Sequence, residues 1–599
     1  MKFGAKINKN KSITFKLWAP DAHSVSLILM DEEPNIQLPM QADCEKVFSI
    51  NTNLAKIGSK YMFLIDNNLQ VCDPVSKQQT SGILSPSIVC APPNITHTNN
   101  FDFDWKDAIL YEMHIGTFTR EGTFSSAEQK LDHLKELGIN VIEIMPIAQF
   151  SGARNWGYDG VLMFAPNSSY GTPDELRSFI KSAHSKGIKV ILDVVYNHFG
   201  PDGNYLYCYA RSKFFSSQKS TPWGDAINYS EQKVRDFYIS NAIYWIEEFD
   251  FDGLRLDAVH EIHDSSNTHI LDEIADSVHK HFLKTKKVYL ILENDKNETT
   301  YLHKNKYCSQ WNDDFHHCMH VLLTGETNGY YEDFCEKRTP KSALHLLGKS
   351  LCEGFVYQGE YSIHRGISRG QVSSHLSPKY FVNFLQNHDQ IGNRAFGERI
   401  SDFVNSEQLK AAIVLYLLTP QIPMIFMGEE WGASTPFQYF CDYQNELADS
   451  VREGRQREFE SLYSTINSND RPTIPDPVKE TTFANSKLNW SEIELDKHKQ
   501  ILNLYQKLLT IRKNTISPII DEISSNNSCE FLSNKSLITR WNTKKTNQTK
   551  LIAVCNFGDS PVKINQKIEG ALLLESKAQS YEQIQKGILI GNTTCWLIN

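Results

Sequence analysis

Nowhere does this chain of 599 residues carry an apolar run approaching the ~20 residues that cross a bilayer. Its opening stretch, MKFGAKINKNKSITFKL, has no apolar segment long enough for a signal peptide, so a soluble, cytoplasmic protein is expected. The 12 cysteines are scattered and no two form a CxxC pair, which removes the usual zinc spacings. In a reducing cytosol they are expected as buried thiols rather than disulfides. No DxDxDG run offers a calcium loop, so neither a catalytic metal nor another cofactor is expected. A strongly basic stripe is also missing, and the net charge of −10 argues against nucleic acid or an anionic membrane as partner. What is abundant is aromatic: 25 Tyr, 32 Phe and 10 Trp. Such rings stack on sugars and bases, although filling cores is their commoner use.

A chain this long divides into domains. Up to Pro93 it reads as short strands such as Ile13–Leu17 and Val25–Leu29, separated by turn residues and without a helical period. Residues 1–93 are therefore expected to form a carbohydrate-binding-like β-sandwich. From about Ile109 helix and strand alternate. Ser125 and Glu128 offer a capping box, Leu131, Leu134 and Leu137 follow at helical spacing, Gly138 stops the helix, and Val141–Met145 reads as a buried strand. The unit recurs with Thr172 and Glu175 as the box, Pro173 at the first helical position and a strand at Val190–Val195. Further strands are expected near Ile109–His114, Gly253–Asp257, Val288–Glu293, Gln310–Asn312, Tyr380–Leu385 and Met424–Met427. Near-continuous apolar strands alternating with helices predict a parallel sheet covered by helices. The total of eight strands predicts an α/β fold with a (β/α)8 TIM barrel over residues 94–515, and residues 198–229 as a short excursion above it. A polar insert with Pro472, Pro475 and Pro477 precedes a helix at His498–Arg512, and short strands such as Leu537–Trp541 and Lys550–Val554 predict a C-terminal β domain over 516–599.

In such a barrel, active-site residues sit at the C-terminal ends of strands. Strand three ends in DVVYNH, with Asp193, Asn197 and His198; strand four in LRLDAVH, with Arg255, Asp257 and His260. Strand five ends in LILENDKN, with Glu293, and strand seven in QNHDQ, with His388 and Asp389. One such carboxylate is ordinarily a helix cap or half of an ion pair; four strands ending this way together are not explained by capping. Arg255 and Asp257, two apart on a strand, face the same side, so the guanidinium is expected to keep Asp257 ionised. Glu293 follows the apolar Tyr289–Leu292, a setting expected to keep it protonated. An ionised Asp facing a protonated Glu about 5–5.5 Å away is the pair that cleaves glycosides with retention. Asp389 is a third carboxylate, able to stabilise developing positive charge.

DVVYNH, LRLDAVH, the Glu after strand five and NHD together resemble the four signature segments of the α-amylase superfamily, glycoside hydrolase family 13. Longer stretches, among them VYNHFGPDGNYL, TPWGDAINY, QWNDDFHH, QNHDQIGNRAFGERI, MGEEWGASTPFQYF and VREGRQREF, resemble the malto-oligosyltrehalose trehalohydrolase family within it. The resemblance implies hydrolysis of the α-1,4 bond next to the terminal α,α-trehalose of a maltooligosyl trehalose, with a maltooligosyl trehalose synthase as the enzyme that makes the substrate. It implies Asp257 as nucleophile, Glu293 as acid/base and Asp389 as stabiliser. It places Tyr158 beneath the sugar at the cleavage point, with His198, Arg255 and His388 as ligands of that sugar. It associates His260, Asp313, Asp314, His317, Gln390 and Asn393 with substrate. Arg394, Glu398 and Arg399 read equally well as an ion-pair brace for their loop. Leu292 and Lys296 depart from the family pattern without touching the carboxylates. A glucan branching or debranching enzyme with the same triad, or a non-catalytic glucan-binding relative, stays as the alternative; the products formed from maltooligosyl trehalose separate these.

Overall fold

The computed structural model describes residues 3–92, 103–335, 342–460 and 473–599. The expected boundary at Pro93 and the first proline of the polar insert, Pro472, lie outside them. Near the N-terminus two antiparallel sheets form. Ile13, Phe15 and Leu17 alternate inward from one, Leu27, Leu29 and Phe63 point inward from the other, and all join one buried cluster. Phe15 meets Tyr61 edge to face at 4.8 Å between ring centroids, linking the sheets.

The eight expected barrel strands are all present. β1 (Leu110–Met113), β2 (Val141–Ile144), β3 (Lys189–Val194), β4 (Gly253–Leu256), β5 (Tyr289–Leu292), β6 (Ser309–Trp311), β7 (Phe381–Asn383) and β8 (Ile422–Phe426) close on one another in chain order. The three-residue β6 is held from both sides, with Ser309 opposite Ile291 and Gln310 opposite Phe381. Within the barrel, side chains of like orientation recur every second residue. Leu110, Val141, Ile191 and Ile291 belong to one buried apolar cluster. Two residues further along the same strands stand Glu112, Glu143, Asp193 and Glu293. The strand period thus stacks a charged layer on an apolar one, at the end where the strands open into loops.

Local signals account for many of the helices. The helix Pro173–Ser185 begins with the expected box: Thr172 accepts from the Glu175 N–H and Glu175 accepts from the Thr172 N–H. The other expected box is displaced. Thr123 and Ser126 cap the short helix Phe124–Glu128. Ser125 instead donates to Glu175, and Glu128 accepts from Ser182 at 2.5 Å, so this pair ties two helices together. Gly138 ends the following helix, Leu131–Leu137, in the left-handed conformation.

Three insertions surround the barrel mouth. A hairpin of Ala148–Phe150 with Gly160–Pro166 follows β2. The excursion after β3 contains two short helices and a hairpin of Phe215–Thr221 with Gly224–Ile227. Between β6 and β7 come the helices Asp313–Thr324 and Ala343–Glu353 and a hairpin of Gln358–Ser362 with Ile367–Gly370. The C-terminal strands build a five-stranded antiparallel sheet. Its Trp596 stacks on Trp541 and donates to the Val414 carbonyl in the buried helix Ser406–Leu418, pinning the sheet to the barrel. Among the described residues, no helix is long and apolar enough to cross a membrane.

Candidate active site

β4 and β5 are drawn close by Gly253: a Cβ there would lie 1.8 Å from the Tyr289 carbonyl oxygen. Their register pairs Leu256 with Leu292, so the next residues, Asp257 and Glu293, stand side by side at the strand ends. Immediately after Asp257, Ala258 turns the chain with φ of +38°, a left-handed conformation unusual for a residue with a Cβ. The turn aims the Ala258 N–H at Glu293, 2.9 Å from its Oε2.

Arg255 is the hub of the charged layer. Its Nη1 donates to Asp193 at 2.6 Å and to Asp257 at 3.0 Å, and its Nη2 donates to Glu293 at 2.6 Å. The guanidinium lies 3.8 Å above the Trp311 ring, which fixes its plane. Asn197 donates to the other Asp257 oxygen at 3.0 Å. The guanidinium thus acts on both carboxyls and not on Asp257 alone. Burial pushes Glu293 up, but Arg255, followed by His260 and the Ala258 N–H, outweighs it and takes the carboxyl down to about 2. Burial and the Glu293 charge push Asp257 well above the carboxylate range, with Arg255 only partly opposing. The expectation of an ionised Asp257 considered only the guanidinium on its own strand. The second Arg255 amino group reaches across to Glu293, so one guanidinium serves both carboxyls.

The stretch after β7 is organised by Asn387. Its side chain accepts from the N–H groups of Asp389 and Gln390 while Gln390 accepts from its own N–H, capping the five-residue helix His388–Gly392. His388 stacks on Tyr158 at 5.0 Å and places Nδ1 2.5 Å from Glu112. Burial alone lowers the His388 pKa, but the Glu112 carboxylate more than reverses this, so the ring tends to hold its proton. Asp389 is raised by burial against the opposing His388 charge, and accepts from Asn393 at 2.7 Å. Glu143, deep in the barrel, is pushed well above the carboxylate range by burial.

These groups open on one cavity of about 430 Å³. It is lined by Asp257, Glu293 and Asp389, and by Tyr158, His198, His260, Asp313, His317, His388, Gln390 and Asn393. Two residues expected at substrate stand elsewhere. Arg255 is 1% exposed and lies behind the carboxylates rather than on the cavity wall. Asp314 is 2% exposed and turned away: it accepts from Asn297, from the N–H groups of Val356 and Tyr357, and from Arg369. Neighbouring positions at the start of one helix point about 100° apart, so only one of Asp313 and Asp314 faces the cavity. Arg394 pairs with Glu326 and Glu398, while Arg399 donates to the Thr435 carbonyl, so this part of the loop is braced largely by neighbouring segments.

Sequence reasoning passed over several wall residues. Trp223, 47% exposed at a hairpin tip, stacks on His198 at 4.3 Å; an exposed tryptophan in the quoted TPWG was an available signal. Glu112 lies behind the wall, where it orients His388, and was a single acid within an apolar strand. Asp295, Arg365 and Arg369 form a linked group on one wall, with Arg365 2.8 Å and Arg369 3.1 Å from Asp295. Nothing in the local sequence marks that hairpin as part of the site. Lys296, one of the departures, donates to the His260 carbonyl and so supports the same wall.

Known proteins show the same combination. Residues 96–239 and 210–521 match the family described as alpha amylase, catalytic domain; residues 2–82 match carbohydrate-binding module 48, the isoamylase N-terminal domain. A malto-oligosyltrehalose trehalohydrolase from Saccharolobus solfataricus is 40% identical over 98% of this chain and 97% of its own. Another from Deinococcus radiodurans is 41% identical over 76% of this chain and 74% of its own. Among solved structures, an alpha-amylase-like protein from Salmonella typhimurium superposes with a TM-score of 0.92 at 37% identity, covering 100% of this chain and 99% of its own.

Proposed function

The chain belongs to the malto-oligosyltrehalose trehalohydrolase family of the α-amylase superfamily, and from that premise we propose that Asp257, Glu293 and Asp389 carry its reaction. The protein is a glycoside hydrolase that cleaves the α-1,4-glucosidic bond next to the terminal α,α-trehalose of maltooligosyl trehalose, releasing trehalose. The observation that carries the residue assignment is the convergence of three carboxyls from the ends of β4, β5 and β7 on one cavity, two of them bound to the same arginine.

Asp257 attacks the anomeric carbon of the glucose on the maltodextrin side. Glu293 gives its proton to the glycosidic oxygen, and trehalose leaves. A water then gives a proton to Glu293 and attacks the same carbon, freeing the maltodextrin with its α configuration kept. Adjacent strands about 4.8 Å apart suit the spacing of about 5–5.5 Å that this retaining route uses. Glu293 takes up its proton before the first step, which frees it from Arg255 to reach the glycosidic oxygen. Arg255 is then left with Asp193 and Asp257, and holds the nucleophile ionised. Asp389 faces the positive charge that grows on the sugar ring, held by its hydrogen bond from Asn393 beside His388.

Tyr158 forms the platform beneath the reacting sugar, and His198 and His388 bound it. Gln390, Asn393, Asp313, His317 and His260 are placed to meet hydroxyls around it and toward the trehalose side. We divide the chain at residues 93 and 515, the outer β domains supporting the barrel and the N-terminal one helping to hold glucan. A cytoplasmic enzyme working after a maltooligosyl trehalose synthase fits this reading. Incubation with purified maltooligosyl trehalose tests it: free trehalose and a maltodextrin shorter by that unit are expected, whereas a branched glucan or no product would overturn it.

A further inference from the structure

Outside the cavity lining, two thiols meet across the junction of the barrel and the C-terminal sheet. Cys352 lies near the end of the helix Ala343–Glu353; Cys529 lies in the strand Ser528–Ser533, 177 residues later. Their sulfurs are 3.4 Å apart, and both residues are partly exposed. The contact is held by its surroundings. The Asn527 side chain donates to the Cys352 carbonyl, and Trp541 donates to the Leu351 carbonyl from the neighbouring strand. Gly348 lets the strand approach: a Cβ there would lie 2.8 Å from the Phe531 ring and 3.2 Å from the Cys529 Cβ. Phe531 stacks on His345 at 4.0 Å, one turn earlier on the helix. All 12 cysteines are reduced in this structure, and no other pair shares such a sulfur contact among the described residues.

We propose that Cys352 and Cys529 are a reversible disulfide site, closed by a low-molecular-weight disulfide, that clasps the C-terminal domain to the barrel. Closure requires the sulfurs to approach by about 1.4 Å, to the ~2.05 Å of a disulfide bond. We take Cys529 as the attacking thiol, since its sulfur also lies 3.1 Å from the Thr539 hydroxyl, which can donate to its thiolate. Its thiolate attacks one sulfur of oxidised glutathione, forming a mixed disulfide and releasing one glutathione thiolate. Cys352 loses its proton to solvent and attacks the Cys529 sulfur, releasing the second. The two protein thiols give up two protons and two electrons, and one glutathione disulfide becomes two thiols. The bond closes a long loop, so it restrains the unfolded chain. The helix bearing Cys352 packs on the helix Asp313–Thr324, which carries Asp313 and His317 to the cavity, so the clasp braces that wall without entering it.

The test uses the full-length protein, oxidised while folded with glutathione disulfide and then digested without reductant. Mass spectrometry is expected to find the peptides of Cys352 and Cys529 joined. The apparent Tm of the oxidised protein is expected to rise by about 3 °C or more, to return with dithiothreitol, and to be unchanged by oxidation in Cys352→Ser. Glutathione on the exposed Cys44 and Cys208 without the joined peptides would overturn the proposal, and this readout needs no variant. Joined peptides seen only when the chain is oxidised in denaturant would overturn it as well.

Discussion

Arg255→Met removes the guanidinium that ties the charged layer together while keeping a stem of similar length. Three contacts disappear, to Asp193, Asp257 and Glu293. A hydrogen bond to a charged group contributes about 1.5–3 kcal/mol, and each 1.36 kcal/mol is one pKa unit. Without its Arg255 contact the nucleophile should therefore need roughly one to two units higher pH to ionise. At the acidic end of the profile this alone lowers kcat/KM about 10- to 100-fold, and misplacement of Glu293 adds to the loss. Stability changes in a defined window. Glu293 goes from an ordinary 4.5 to about 2 in the folded chain, so its contribution is present above pH 4.5 and is lost as pH falls toward 2. The raised Asp257 acts in the opposite sense and offsets part of it. The variant should show a flatter loss of stability between pH 4.5 and 2 than the wild type, from a lower starting value at neutral pH. Steady-state kinetics on maltooligosyl trehalose from pH 4 to 8, with circular dichroism to check the fold, decides the matter. A folded variant whose acid limb stays in place and whose kcat/KM is within fivefold of wild type would refute Arg255 as the group that sets the carboxylates.

Other perturbations separate chemistry, recognition and support. Asp257→Asn, Glu293→Gln and Asp389→Asn should each lower kcat by at least about 1000-fold with an unchanged far-ultraviolet spectrum; near wild-type turnover in any one removes that residue from the mechanism. Gln390→Ala should lower kcat/KM on maltooligosyl trehalose by about 10- to 100-fold and on plain maltodextrin by less, since an unmatched sugar-reading group penalises one substrate; equal losses would exclude a trehalose-reading role. Asp314→Ala should cost about 3–5 kcal/mol in unfolding free energy, because it leaves two backbone N–H groups, the Asn297 amide and one Arg369 amino group without an acceptor in the interior, though Arg369 keeps Asp295; a denaturation midpoint equal to wild type would contradict its place as a brace.

The barrel was legible because its strands are short apolar runs, and a parallel sheet buried on both faces imposes that pattern regardless of tertiary detail. β6, three residues long, carries the weakest such signal, and the expected Gln310–Asn312 falls one residue beyond the observed Ser309–Trp311. The catalytic layer was legible for a related reason: an acid or arginine two residues after an apolar inward position has to face the same interior. What could not be read was set by contacts distant in sequence. Asp314 beside Asp313 looks equivalent in a string, and only the helix rotation and the arrival of Arg369 from a later hairpin tell them apart. The protonation of the Asp257–Glu293 pair depends on which carboxylates one guanidinium reaches across neighbouring strands. The Ser125–Glu128 box lost to Thr123–Ser126 because both patterns satisfy the same capping chemistry, and the chain entry from Tyr170 selects between them, its carbonyl accepting from the Phe124 N–H. Arg365 and Arg369 reach the cavity only because the hairpin between β6 and β7 folds back over the mouth.

Proton NMR of maltooligosyl trehalose during the first minutes of hydrolysis tests the central claim most directly, since it reads the bond cut and the configuration of the product together. The account predicts free trehalose appearing in step with a shortened maltodextrin whose new reducing end is initially the α-anomer, relaxing to the equilibrium mixture only later. Trehalose released alongside an initial β-anomer would contradict the assignment of Asp257 as nucleophile, and a new reducing end formed without trehalose would contradict the placement of the cleaved bond.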